Sequence, residues 1–133
     1  MGLQIWAVYN QWHAEIQKIL KPININHTQF VILASILWCQ ENNRLPTQAE
    51  IVQITSLDKM TLSKSLKTLV SKELVAKTKD KRDSRSFTLG LTIDGATLTK
   101  NALQLIEKLD QQYFGSLGNQ KHLFISLLKQ LRN

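Results

Sequence analysis

Hydrophobic residues recur along the chain first with a helical period and later with the period of a strand. From Leu3 to Leu20 they return every three or four positions, which predicts an amphipathic helix that ends before Pro22. Asn26 and Gln29 form the pattern of a capping box at the start of a second helix. Apolar residues lie on nearly all sides of this second helix, so we expect it to be central and buried.

A short helix and a longer one follow. Thr47 is placed to cap a helix that reaches about Ile54, with Glu50 reaching back to complete a second capping box. Asp58 is the next candidate for a cap, and the apolar residues up to Val70 again follow a helical period. A short helix, a tight turn and a second helix with a polar outer face predict a helix-turn-helix.

The period changes from about 3.6 to 2 after this unit. Residues 74–79 fit a strand, residues 86–91 alternate polar and apolar side chains, and a charged segment joins them. This pattern predicts a β-hairpin with a basic tip, which would form the wing of a winged helix.

Two more helices are predicted after the hairpin. Thr92 caps the longer one, and two glycines separate it from a last apolar-faced segment. The predicted fold class is mainly α with a small β-hairpin wing (α+β), in a single domain of residues 1–133. The flanking segments 1–22 and 96–133 carry more apolar helix surface than the small winged-helix unit needs to complete its own core. We therefore expect them to be dimerisation helices, buried against a second copy in a homodimer.

Charge adds a candidate partner to this picture. The formal net charge is +7, and residues 58–85 hold nine bases against four acids, whereas residues 1–57 hold three of each. Clustered Lys and Arg release counterions from a phosphate backbone, so nucleic acid is the first candidate partner. The alternative is a basic surface that is merely well solvated.

Composition narrows the class of protein. The 133 residues, 43% of them hydrophobic, fit one globular domain with a modest core. No apolar run approaches the roughly 18 residues that a membrane span requires, and the N-terminus lacks a secretory-signal pattern. Because the lone Cys39 has no internal disulfide partner, we expect a cytoplasmic protein.

The sequence shows few patterns typical of a catalytic or metal-binding site. The sequence has no Gly-rich phosphate loop, nucleophile elbow or usefully spaced pair of carboxylates, so an enzyme is not expected. His13, His27 and His122 are expected to be far apart in different helices, and no Cys/His pair has zinc-ligand spacing. We therefore predict neither a metal site nor a cofactor.

Several segments together resemble the MarR family of bacterial winged-helix regulators. They are Asp58–Lys64, Leu69, Leu74–Val75, Asp80–Arg85 and Leu91–Gly95. The resemblance runs from about 26 to 95 and marks this range as the winged helix-turn-helix core. Its most specific part is the Asp-x-Arg-Asp-x-Arg wing followed by Leu-Thr-x-x-Gly. The family usually has a glycine after its recognition helix, where Glu73 stands here. The resemblance implies an obligate homodimer that binds a pseudo-palindromic DNA operator as a sequence-specific transcription regulator, acting as a repressor.

The resemblance also assigns residues of the recognition helix to DNA. Thr61, Ser63 and Lys64 match positions that face the major groove, where hydroxyls and a lysine can meet base edges and phosphates. Lys59 and Lys67 flank that face and suit phosphate, although simple solvation of Lys67 is an equal alternative.

In the wing, Arg82 and Arg85 match arginines that enter a narrow minor groove. Asp83 is expected to brace the wing, and the alternative role for Arg85 is an ion pair with Asp58 or Asp83. Gln48, in the first turn of the short helix, is a candidate for bringing that helix end to a phosphate.

Two other functions fit part of the pattern. One is a MarR-like protein-interaction module with degenerate DNA binding, which has no need for five bases between Lys77 and Arg85. The other is a winged-helix binder of nucleic acid with low sequence specificity, which a steep salt dependence without preference for one sequence would identify.

A small-molecule effector is a further candidate partner. Trp12, His13, Phe30 and Trp38 are its candidate binding residues, although core and dimer interface are the more ordinary roles for such aromatics. The family's well-known sensing cysteine lies in the first helix, whereas Cys39 is near the end of the second. We expect an inert, buried or half-buried thiol.

Overall fold

The computed structural model describes residues 1–132, which form six helices and one antiparallel hairpin. The elements are α1 (Gly2–Leu20), α2 (His27–Glu41), α3 (Gln48–Thr55), α4 (Lys59–Ser71), β1 (Val75–Lys79), β2 (Phe87–Leu91), α5 (Ile93–Tyr113) and α6 (Lys121–Leu131). Short 3-10 turns cover Lys21–Ile23 and Gly115–Gln120. The predicted order of elements and the mainly α fold class with a hairpin wing are confirmed. Within residues 1–132, no helix combines the length and apolar character that crossing a membrane demands.

Side-chain caps set the helix starts. Asn26 accepts a hydrogen bond from the Gln29 backbone N–H at 2.8 Å, and the Gln29 side chain accepts one from the Asn26 N–H at 3.0 Å. This confirms the first capping box. Thr47 accepts from the Glu50 N–H at 3.3 Å, but the Glu50 carboxylate pairs with Arg44. The second half of that capping box is therefore wrong, because a guanidinium is a stronger partner for a carboxylate than one backbone N–H.

Helix α2 lies at the centre and packs against α1, α3, α4, α5 and β2. The buried residues form one cluster that combines α2 with the inner ends of the flanking helices. Ile16 and Leu20 of α1 and Ile106 of α5 belong to the same core as Leu62 of α4 and Leu89 of β2. The reading unit and its helical flanks therefore share one core. The division at 22 and 96 stays a prediction.

Helix α4 ends in a left-handed residue that is not glycine. The Leu74 N–H donates to the Leu69 carbonyl and the Glu73 N–H to the Val70 carbonyl, both at 3.0 Å. These two bonds form a Schellman cap, and Glu73 occupies its left-handed position with φ of 59°. The family's usual glycine is thus replaced without a change of turn, and a Cβ in this conformation costs about 1 kcal/mol.

The start of α5 lies directly on the turn that follows α4. The Thr92 N–H donates to the Leu74 carbonyl at 3.1 Å, and the Thr92 hydroxyl accepts from the Gly95 N–H at 2.9 Å. An ideal Cβ on Gly95 would lie 2.0 Å from the Leu74 carbonyl oxygen. The glycine of the Leu-Thr-x-x-Gly motif therefore allows α5 to approach the backbone between α4 and β1, which fixes the base of the wing.

Helix α6 has an apolar face that its own chain, within residues 1–132, does not cover. None of its residues is buried within the described part of the chain. Its exposed apolar side chains are Leu123, Ile125, Leu127, Leu128 and Leu131, and those of the first half of α1 are Leu3, Ile5, Trp6, Val8 and Tyr9.

Candidate nucleic-acid interface

The outer face of α4 and the hairpin enclose an open groove with a volume of about 580 Å³. Its lining residues are Gln48, Lys59, Met60, Ser63, Lys64, Leu66, Lys67, Val70 and Lys77. Four of these are lysines, and none of the groove-lining residues within 1–132 is acidic. The groove is a concentrated positive surface beside an exposed helix face, which suits a phosphate backbone and base edges.

Gln48 connects the two helices of the helix-turn-helix. It stands in the first turn of α3, and its Nε2 donates to the Ser63 Oγ of α4 at 2.7 Å. The bond holds the Ser63 hydroxyl in one orientation at the edge of the groove. Both residues had been predicted to face DNA, and the structure brings them together.

Thr61 lies apart from the other predicted residues of α4. Its backbone N–H and its hydroxyl both donate to the Asp58 carboxylate, at 2.8 and 2.7 Å. These two bonds, the backbone one foremost, hold the pKa of Asp58 below its usual range. The Thr61 side chain is therefore part of the helix cap and is not among the residues that line the groove.

The tip of the wing is shaped by two aspartates. Asp80, almost fully buried, accepts from the Arg82 backbone N–H at 2.9 Å, and this bond above all lowers the pKa of its carboxyl group. Asp83 accepts from the Arg85 backbone N–H at 3.0 Å, which is the bracing role predicted for it. The acidic residues of the wing thus fix its turns.

The two wing arginines project into solvent. Arg85 is 91% exposed and its Nε lies 3.5 Å from the Asp83 carboxylate, so the alternative intramolecular pair is present at the limit of hydrogen-bond length. Asp58, the other candidate partner, is bound to Thr61. An exposed pair of this kind contributes between 0 and about 1 kcal/mol, so the Arg85 guanidinium can exchange Asp83 for a phosphate at little cost.

The wing is fixed to the helix-turn-helix through the segment before α3. The Leu89 N–H donates to the Pro46 carbonyl at 2.8 Å, and Thr47 forms an isolated bridge with Thr88. Lys77 of β1 lies 5.0 Å from the centre of the Phe87 ring across the hairpin. These contacts hold the lysine of β1 opposite the lysines of α4.

Sequence reasoning named three of the four lysines in the groove and missed Lys77 and Met60. Lys77 was counted only as part of the basic segment, although the alternation of the predicted strand could have separated it from its neighbours. The prediction that Met60 belongs with the periodic apolar residues of α4 is wrong: Met60 is 83% exposed on the outer face, and the period of Leu62, Leu66 and Leu69 excludes it from the core.

The four candidate effector residues do not meet in one cavity. Phe30 is 7% exposed in the core, whereas Trp38, two turns further along α2, is 54% exposed beneath the Arg44 guanidinium. Trp12 donates from Nε1 to the Asp110 carboxylate at 2.8 Å, and His13 lies beside it in α1. Trp12 and His13 belong to one aromatic cluster with Tyr9 and His27, and Trp12 packs against the core that contains Phe30.

His13 and His27 are in direct contact, which corrects the expectation that the histidines lie apart. The turn between α1 and α2 brings their Nδ1 atoms to 2.7 Å, with Tyr9 stacked on His13 and the Trp12 ring against His27. Burial, and then the nearby His13, lower the pKa of His27 to about 4. His27 is therefore neutral at pH 7, and one imidazole N–H is shared between the two rings.

Cys39 is fully buried in α2. Burial raises the pKa of its thiol, and the opposing effect of the nearby Arg44 is smaller. The predicted burial of Cys39 is confirmed, and a thiol with a raised pKa and no access to solvent is a poor nucleophile.

Comparison with known proteins agrees with this geometry. Residues 21–109 match the family described as the ArnR1-like winged-helix domain. The uncharacterized HTH-type transcriptional regulator YdcH of Bacillus subtilis is 28% identical over 130 residues, which cover 98% of this chain and 88% of the relative. The organic hydroperoxide resistance transcriptional regulator of the same organism is 27% identical over 130 residues, covering 96% and 86%.

A solved structure shares the fold over nearly the whole chain. It is a mutant MarR from E. coli complexed with operator DNA, which is 27% identical with a TM-score of 0.84 and covers 98% of this chain and 91% of that one. The predicted likeness to the MarR regulators is thereby confirmed. The chain belongs to the family of ArnR1-like winged-helix domains.

Proposed function

We propose that this chain is a transcription regulator that binds double-stranded DNA as a homodimer and acts as a repressor at a pseudo-palindromic operator. The observation that carries the proposal is the groove between α4 and the wing, which is lined by Lys59, Lys64, Lys67 and Lys77 and, within residues 1–132, by no acid. Helix α4 would enter the major groove while these lysines bind the flanking phosphates.

The wing extends the same surface. The exposed guanidinium groups of Arg82 and Arg85 would reach the adjacent minor groove, whose negative potential attracts arginine. Gln48, Ser63 and Lys64 would contact the DNA from the helix-turn-helix. Thr61 would position the start of α4 through the cap that it forms with Asp58.

Dimerisation is supported by the exposed apolar faces at the two ends of the chain. In this proposal the reading head spans 26–95, while 1–22 and 96–133 carry the dimer contacts. An apolar face such as that of α6 is unfavourable in water, and a second copy would bury it symmetrically. Two heads held in this way would meet half-sites about one helical turn apart.

An effector remains part of the proposal as a small molecule, with Trp12 and His13 as the candidate residues that share one cluster. A relative is named for organic hydroperoxide resistance. That name does not extend to peroxide sensing through Cys39 of this chain, because Cys39 is buried and the pKa of its thiol is raised.

The first test is selection of genomic fragments by the purified full-length protein at near-physiological salt, followed by sequencing. The proposal expects a short inverted repeat with half-sites about 10 base pairs apart. Retention of unrelated fragments that is lost as salt rises would identify a binder of low specificity instead. No retention of DNA would favour the protein-interaction module and leave the groove lysines without their proposed role.

Two variants then separate minor-groove binding by the wing from phosphate binding by α4. Arg85→Ala should weaken operator binding by roughly 1 to 3 kcal/mol. Lys67→Ala should weaken all duplexes alike and reduce the slope of log affinity against log salt by about one unit. Lys108→Ala removes the same charge from the exposed surface of α5, outside the groove, and is the matched control provided that sedimentation shows it to remain dimeric, since it lies within the segment 96–133. Equal losses in Arg85→Ala and Lys108→Ala would contradict the proposed role of the wing.

A further inference from the structure

Met60 is a large apolar side chain on the polar face of α4. It stands in the first turn of the helix and is 83% exposed. The core face of the same helix is formed by Leu62, Leu66 and Leu69, all of them buried, and Met60 points away from them. Packing therefore does not account for a methionine at this position.

The surroundings of Met60 are cationic. It shares the groove with Lys59, Lys64 and Lys67 of its own helix and with Lys77 of the wing. Leu66 and Val70 also line the groove, but Leu66 is buried and Val70 half-buried. Within residues 1–132, Met60 is thus the exposed apolar side chain of the groove, and charged groups suited to phosphate surround it.

The major groove of DNA offers one apolar group to such a side chain. The C5-methyl group of thymine projects there, whereas the other base edges present hydrogen-bond donors and acceptors. Residues in the first turns of a recognition helix are those that meet base edges. Methionine is unbranched and polarisable, so its Sγ–Cε end can adapt to a methyl group at contact distance.

We propose that Met60 is a specificity-determining residue that reads a thymine in each half-site through contact with the thymine C5-methyl group. This inference rests on the proposed function, since it assumes that α4 enters the major groove. It adds a preference for thymine, based on burial of two apolar groups. Hydrogen bonds from Gln48, Ser63 and the lysines can select base edges, but they do not detect the methyl group that distinguishes thymine from deoxyuridine.

The experiment is a double-mutant cycle that combines a change in the protein, Met60→Ala, with removal of one thymine methyl group from the DNA. The probe is a duplex carrying the repeat that the wild-type protein enriches from a random DNA library. Each thymine of the repeat is replaced in turn, in both half-sites, by deoxyuridine, which pairs identically but lacks the methyl group. Binding of the full-length wild type and of Met60→Ala is measured at one salt concentration.

At one thymine per half-site, loss of the methyl group should weaken wild-type binding by about three- to fivefold per half-site. Met60→Ala should weaken binding to the thymine duplex by at least as much, and deoxyuridine at that position should have no further effect on the variant. Met60→Leu, which keeps an apolar end, should retain most of the discrimination. Because Met60 is exposed, the melting temperature of Met60→Ala should equal that of the wild type.

Lys67→Ala is the control for a phosphate contact and should weaken the thymine and deoxyuridine duplexes in the same proportion. The inference is overturned if deoxyuridine weakens the wild type and Met60→Ala equally at every position, if Met60→Ala binds like the wild type, or if the enriched half-site contains no thymine. A wild-type protein that enriches no sequence would overturn the proposed function as well. If instead the wild type enriches a sequence but Met60→Ala and deoxyuridine act independently, the proposed function stands and only the inference about Met60 is overturned.

Discussion

Replacement of Gly95 by alanine tests how the wing is held to the recognition helix. The new Cβ would lie 2.0 Å from the Leu74 carbonyl oxygen and 2.9 Å from its carbonyl carbon. Carbon–oxygen contacts of this kind normally begin near 3.3 Å, so α5 and the turn after α4 must separate by about 1 Å. Both sides of the contact are backbone, and neither can rotate away.

Three effects determine the change in the free energy of unfolding: two lower it and one raises it. Overpacking against backbone costs about 1 to 3 kcal/mol, and weakening the Thr92–Leu74 hydrogen bond costs about 1 kcal/mol. Alanine is the better helix former by at most about 1 kcal/mol. The free energy of unfolding of Gly95→Ala should therefore fall by about 1 to 4 kcal/mol. For a chain of this length, that lowers the melting temperature by roughly 3 to 16 °C.

The measurement is thermal unfolding by circular dichroism, with every sample at the same protein concentration because a dimer's stability depends on it. Gly115→Ala is the matched control, since a Cβ there would meet no atom within 4 Å among the described residues. Its stability should change by less than about 1 kcal/mol. If Gly95→Ala melts within 2 °C of Gly115→Ala, on the order of 0.5 kcal/mol, the close approach does not govern the junction.

The other predictions concern a helix end, the dimer and pH. Glu73→Gly should raise the free energy of unfolding by about 1 kcal/mol, because glycine adopts the φ of 59° without strain; an unchanged urea midpoint would contradict this. Leu127→Asp should convert the dimer to a monomer in sedimentation, because it places a charge in the apolar face of α6. Gln130→Asp, the control in the same helix, should remain dimeric. If Leu127→Asp also stays dimeric, the apolar face of α6 is not in the interface. His27 has a pKa of about 4 when folded and 6.5 as its reference value, so the unfolded chain takes up the proton first as pH falls. His27 should therefore contribute about 1 to 3 kcal/mol to the free energy of unfolding above pH 6.5, and this stabilisation should be lost as the pH falls towards 4. Urea unfolding across this range should show the loss in the wild type and in His122→Gln, but not in His27→Gln.

The order of elements was predictable because each boundary has a local cause. Asn26, Thr47, Asp58 and Thr92 accept hydrogen bonds from the helices they precede, and each was identified from residue type and spacing. The error at Glu50 has a different origin. Its partner Arg44 lies in a loop, and no local pattern relates the two residues.

Contacts between helices were not predictable in this way. His13 and His27 are 14 residues apart, and their meeting depends on how sharply the chain turns between α1 and α2. Trp12 and Asp110 pair across 98 residues. The candidate site was better predicted, because the lysines of α4 share a face through the helical period alone. That Lys77 lies opposite these lysines could not be predicted, because it depends on where the wing packs.

The shared core restricts how a signal could act on DNA binding. Ile16 of α1 and Ile106 of α5 pack in the same cluster as Leu62 of α4, and Gly95 sets α5 directly on the turn after α4. A change within the dimerisation helices that bent α5 relative to α4 would have to open this core or the Gly95–Leu74 contact. Both would cost several kcal/mol, comparable to a large part of a domain's stability. A change in the angle between two copies, with each reading head moving as a rigid body together with its own α1 and α5, involves neither cost. Regulation of this chain should therefore alter the spacing of the two grooves and leave each groove intact.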